Sequence, residues 1–189
     1  MSDLFQLGAA LTTLEAGGTL LYPTDTVWGI GCDAVNAEAV AKVLAIKDRT
    51  AGEGLIVLVD SIEMLLGYVG YVHPRLQTLL AHHQRPLTMI YPDPDGLAEN
   101  VLGPGGSAAI RVADDAYCRA LIGSFGRPIV STSANVHGAP TPTHFGAISS
   151  EVLRRVDHVA KYRQRDTDSR EPSVIARWNE ANELEPIRG

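Results

Sequence analysis

At 189 residues, 45% of them hydrophobic and 20% charged, the chain suits one soluble globular domain that buries roughly 70% of its unfolded surface. Its net charge of −6 argues against a nucleic-acid coat protein, whose affinity comes from neutralising phosphates. Two cysteines make neither a zinc site nor a disulfide framework, the longest apolar run (residues 55–59) is too short to span a bilayer, and an N-terminus with Asp3 and no basic segment is no signal peptide, so the chain reads as cytoplasmic.

In chain order, Leu4, Leu7, Leu11 and Leu14 recur at helical spacing, and Gly17 and Gly18 supply a stop. Residues 19–22 form a short buried strand. Asn36 caps a helix that carries Val40, Val43 and Leu44 on one face. Residues 55–59 lack alternation, which predicts a strand buried on both faces. Ser61 and Pro74 open two further helices. Strands follow at 87–91, 108–112, 128–131 and 173–178, a helix at about 115–123, and more helix between 143 and 156. Helix and strand alternate without linker or repeat, so the expectation is a single α/β domain over residues 1–189 around a mostly buried sheet.

Two segments end in a way that points to a site. Tyr22-Pro23-Thr24-Asp25-Thr26 and Pro128-Ile129-Val130-Ser131-Thr132-Ser133-Ala134-Asn135 both pass from apolar strand to small hydroxyl and amide side chains. Such strand ends place hydroxyls and backbone N–H groups at the carboxyl edge of a sheet, where open α/β folds bind ligands. Taken singly, these side chains are explained by the turn backbone they satisfy; their occurrence in two segments favours a site for an anionic ligand. Gly29-Ile30-Gly31-Cys32-Asp33-Ala34 matches a dinucleotide fingerprint, but the preceding strand is already broken, which predicts extended chain packed closely through its glycines. Among the six histidines no two have the i, i+4 spacing of a helical zinc pair, and no metal site is expected.

Together with Lys47-Asp48-Arg49, Ser107-Ala-Ala-Ile-Arg111-Val and Pro172-Ser173-Val-Ile175, these strings resemble the YrdC/TsaC family, with the motifs in that family's order along essentially the whole chain. The resemblance implies a single YrdC-like domain, an open twisted mixed β-sheet with helices packed on its faces. It also implies a nucleotidyltransferase that joins L-threonine, bicarbonate (or CO2) and ATP, with Mg2+, into L-threonylcarbamoyladenylate and releases pyrophosphate. The product would pass to a threonylcarbamoyl transferase machinery acting at position 37 of transfer RNA, with weak RNA contact and no membrane. Carried over by position, Lys47 and Arg49 are the catalytic cations. Lys47, Ser107, Asn135, Thr143 and Arg188 would contact ATP, while Thr24, Thr26, Arg111, Ser131 and Ser133 would form the threonine and carbamate pocket, with Arg111 on the carboxylate.

Three positions depart from the family's pattern: Glu53 where a second lysine often stands, His137 after the Ser-Ala-Asn string, and Gln84-Arg85-Pro86 before Thr88. They bring in two alternatives, an RNA-binding module on the same fold or a carbamoyl-adenylate enzyme with another acceptor. The segment 161–172, anchored between a strand ending near Ala160 and the strand beginning at Ser173, is rich in Lys and Arg and without apolar periodicity, and is expected to be a weakly ordered lid that closes over bound nucleotide.

Overall fold

The computed structural model describes residues 6–168, 170–179 and 181–188, the side chain of Arg188 excepted. Leu4 therefore lies outside the described residues, and helix α1 spans Gly8–Glu15, burying Ala10 and Leu14. It stops where Gly17, at φ 67°, takes a left-handed turn that side chains disfavour. Helix α2 (Ala37–Lys47) begins at Asn36, whose Oδ1 accepts from the N–H groups of Glu38 and Ala39 at 3.0 and 3.1 Å. Helices α3 (Ile62–Val69), α5 (Ala116–Phe125) and α6 (Ser150–Arg155) are capped likewise by Ser61, Asp115 and Ser149, and α4 (Pro74–His82) starts on proline, whose missing N–H has no helical partner to lose.

The strands are β1 (Leu20–Tyr22), β2 (Gly29–Gly31), β3 (Ile56–Val59), β4 (Leu87–Tyr91), β5 (Ala108–Val112), β6 (Ile129–Ser133), β7 (His158–Val159), β8 (Val174–Trp178) and β9 (Leu184–Arg188). They form one open mixed sheet in the order β7-β1-β2-β6-β3-β5-β4-β8-β9. Strands β2 and β9 are additions to the sequence reading, while β7 is the short strand expected to end near Ala160. Gly29–Gly31 is extended as expected, and Gly31 is glycine for a steric reason: a Cβ there would stand 2.2 Å from the Val130 carbonyl oxygen and 2.7 Å from the Tyr22 ring.

Alternation along the strands divides the core. Ile30, Val57, Met89, Ile110 and Val130 join Val40, Val43, Leu65 and Leu76 of α2–α4 on one face. Leu20, Tyr22, Leu58 and Ile129 join Leu14, Leu121 and Ile122 of α1 and α5 on the other. Each such aliphatic side chain contributes roughly 1.5–3 kcal/mol on burial. No helix among the described residues is long and apolar enough to cross a membrane.

The 161–172 segment differs from expectation in its first half. Arg163 donates to the Thr24 carbonyl oxygen at 3.1 Å and to the carboxylates of Asp115 and Asp166 at 3.0 Å each, and Tyr162 stacks on Tyr117 with ring centroids 5.4 Å apart. Charge and one aromatic pair tie this segment down, which a search for apolar periodicity does not register.

Candidate active site

Strand β1 is antiparallel to β2, and β2 to β6, so β1 and β6 run the same way. Their carboxyl ends meet across one residue, Gly29, which pairs with Tyr22 on one side and Ser133 on the other. The hydroxyls here belong to the strand itself: β6 runs on to Ser133, beyond the boundary expected at residue 131, and its alternation puts Ser131 and Ser133 on the face of Ile129. Ser131 lies opposite Ile56 of β3, and Leu58, two residues on, lies opposite Arg111 of β5. Gly29, Ser131, Ser133, Ile56 and Arg111 thus share one face and line a cavity of about 320 Å³. No helical residue lines it; Thr26, Arg49, Glu53, Ser173 and Ile175 are among those that close its sides. A Cβ on Gly29 would approach the Ser131 Oγ to 3.0 Å, so glycine here keeps the floor open.

Cations converge on this hollow, and each has a protein partner. Arg111, only 2% exposed, has its Nη2 3.0 Å from Oδ1 of Asp25, whose side chain is 9% exposed. Arg49 donates from Nε to Glu53 Oε2 at 2.8 Å and from Nη2 to the Gly54 carbonyl oxygen at 3.3 Å. Hydrogen bonding from Arg49, and then its charge, holds the Glu53 carboxyl below the usual range. Lys47, 3% exposed at the end of α2, donates to the Ser133 carbonyl oxygen at 2.6 Å, to Asn135 Oδ1 at 3.0 Å and to the Asn135 carbonyl oxygen. Burial, and then the nearby Arg49 charge, pulls the Lys47 ammonium down to about 8.

The small polar side chains knit the walls. Ser133 Oγ donates to Asn135 Oδ1 at 2.5 Å, and Asn135 Nδ2 donates to the Ala139 carbonyl oxygen at 2.6 Å. Thr24 Oγ1 donates to the Val27 carbonyl oxygen at 2.8 Å and accepts from the Thr26 N–H at 3.0 Å. Its single proton is thereby used, so in the 2.9 Å contact between the two hydroxyls Thr26 is the donor.

Comparison with known proteins reaches the same frame from sequence. A Sua5/YciO/YrdC family model, described as "Telomere recombination", matches residues 12–189. The chain belongs to the Sua5/YciO/YrdC family. A protein of Xanthomonas euvesicatoria pv. vesicatoria named threonylcarbamoyl-AMP synthase is 36% identical over 162 residues, 84% of this chain and 87% of that one. A protein of the same name from Xanthomonas campestris pv. campestris is 35% identical over 81% of this chain and 83% of its own. Among solved structures, P. abyssi Sua5 complexed with L-threonine superposes with a TM-score of 0.79 at 23% identity, covering 89% of this chain and 49% of that one. E. coli YciO gives a TM-score of 0.78 at 19% identity over 100% of this chain and 92% of its own.

Within this family frame, the residues expected at the site fall into three groups. Thr26, Arg49, Arg111, Ser131 and Ser133 line the cavity. Thr24, Lys47 and Asn135 are not part of its lining, and their polar atoms are engaged by neighbouring residues. Ser107 lies apart, its hydroxyl donating to the Pro104 carbonyl oxygen at 2.9 Å, whereas Thr143 borders a small recess beside Arg163 that Thr24 also lines and that shares Thr26 and Val27 with the cavity. The Arg188 side chain lies outside the described residues. Sequence reasoning assigned no role to Asp25 or to the buried Thr88–Ser173 hydroxyl pair, 2.8 Å apart. A polar residue inside one apolar strand and another at the head of a second was the available signal for that pair.

Proposed function

We propose that this chain is an L-threonylcarbamoyladenylate synthase, a nucleotidyltransferase that makes its product from L-threonine, bicarbonate and ATP with release of pyrophosphate. The observation that carries the reading is a hydroxyl-lined cavity with a buried arginine in a chain 36% identical over 84% of its length to a protein named for that activity. The product serves N6-threonylcarbamoylation of adenosine 37 in transfer RNA, through a downstream transferase and in the cytoplasm. Residues 1–189 act as one YrdC-like domain.

Two anions must be brought together. The neutral threonine amine adds to the carbon of CO2, which bicarbonate supplies by losing hydroxide. The N–H proton lost in forming the carbamate converts that hydroxide to water, and a carbamate oxygen then displaces pyrophosphate from the α-phosphorus in line. Repulsion between carbamate and triphosphate is the main barrier the site must lower, and fixed cations and N–H donors lower it most effectively away from water. Arg111 suits the threonine carboxylate, because a guanidinium fork matches it in two places. The hydroxyls of Thr26, Ser131 and Ser133 suit the amine and the substrate hydroxyl. Arg49 suits the phosphates once Glu53 yields, and Lys47 holds the Ser133–Asn135 strand end while adding positive field. Mg2+ would enter with the triphosphate and offset part of its charge.

The test is pyrophosphate release with ATP, Mg2+ and bicarbonate against a panel of amino acids. Release that depends on L-threonine is expected; release with another acceptor would move the chain to a different carbamoyl-adenylate activity, and none at all would remove the reading.

A further inference from the structure

The Asp25–Arg111 pair is unusual for a buried contact. The two groups approach to 3.0 Å, yet both Asp25 carboxylate oxygens and Arg111 Nε are buried without a hydrogen-bond partner. The great majority of buried polar side-chain atoms are bonded, so three such atoms in one contact call for a reason. Asp25 is not part of the cavity lining, whereas Arg111 is. Both members of the pair act electrostatically on the buried Cys118 thiol, Asp25 pushing it up and Arg111 pulling it down. Arg111 therefore faces the cavity while its counter-charge lies outside the cavity lining.

We propose that Asp25 is a positioning residue for Arg111: it balances the buried guanidinium charge and keeps the fork presented to a carboxylate ligand in the cavity. The proposal rests on the reading of that ligand as L-threonine. An ion pair without directional hydrogen bonds holds the guanidinium by charge while leaving its hydrogen-bonding capacity unspent. A buried cation deprived of its counter-charge would move toward water and lose its alignment. The missing hydrogen bonds are then the mark of a group set for a ligand.

A double-mutant cycle tests this with Asp25→Asn, Arg111→Met and the double variant, measuring KM for threonine and for ATP together with Tm. Asp25→Asn is expected to raise the threonine KM roughly tenfold, the size of effect that one charge-assisted hydrogen bond carries, with the ATP KM close to the parent. In the Arg111→Met background it should add nothing, because the two residues act as one unit. Asp25→Glu, which keeps the charge, should recover part of the loss. If Asp25→Asn fails to fold, the double variant should fold better, since it removes the unbalanced cation as well; a double variant no better than the single overturns the pairing. An unchanged threonine KM in Asp25→Asn, or effects that simply add, overturns it too. Absence of threonine-dependent pyrophosphate from the parent protein would instead defeat the functional reading, and the four melting temperatures would still decide the charge balance.

Discussion

Lys47 and Glu53 show how single side chains set the conditions under which the site works. The Lys47 value near 8 compares with an ordinary 10.5. Between those values the unfolded chain binds more protons than the folded one, so this group's contribution to stability rises with pH from about 8 toward 10.5. Activity moves the opposite way, because a neutral amine has one N–H fewer with which to hold the Ser133 and Asn135 oxygens. The rate should fall as pH passes about 8, and Lys47→Arg, which stays protonated, should shift that limb upward in a pH–rate profile; a limb that does not move belongs to another group. Glu53 occupies Arg49 at the side of the cavity. Glu53→Gln should lower the ATP KM a few-fold and Glu53→Lys somewhat more, with the gain shrinking as salt is added because Glu53 is half exposed. Nucleotide titrations at low and moderate salt would show it, and equal affinity at both would mean that the Arg49–Glu53 contact does not oppose the nucleotide.

At the scale of elements, the parts legible in sequence were those with local causes. Asn36, Ser61, Asp115 and Pro74 announced their helices because a cap acts within three residues of itself. Strands β2 and β9 were not legible: one has three residues and the other contains Pro186, so each exists through its pairing partner and not through its own pattern. The hydroxyl-rich ends of β1 and β6 were legible as a site. That Lys47 would be spent on the Ser133–Asn135 backbone was not, because that contact forms only when α2 and β6 are brought together. The 161–172 segment gives a testable case. Arg163 links it to the Thr24 carbonyl oxygen and to Asp115, which caps α5. Arg163→Ala should speed amide exchange in residues 162–166 and in the connection from β1 to β2, and should raise the threonine KM. Unchanged exchange would leave Arg163 a surface charge.

Across the whole molecule, an acidic chain of net charge −6 brings Arg49 and the buried Arg111 to one hollow on one sheet face. Helices α1 and α5 seal part of that face, and the rest, crossed by β2, β6, β3, β5 and β8, is left for ligands. Because Arg111, Arg49 and Lys47 are matched by Asp25, Glu53 and the carbonyl oxygens of Ser133 and Asn135, the hollow bears little unbalanced charge, and an anionic nucleotide must take the place of Glu53 on Arg49. The central claim is that this hollow joins threonine, carbonate and ATP into one product. Incubation with ¹³C-bicarbonate, L-threonine and Mg2+-ATP, followed by mass spectrometry, measures it directly. The account predicts a threonylcarbamoyladenylate carrying one ¹³C, formed in step with pyrophosphate and greatly reduced by Arg111→Ala; pyrophosphate without the labelled adenylate would contradict it.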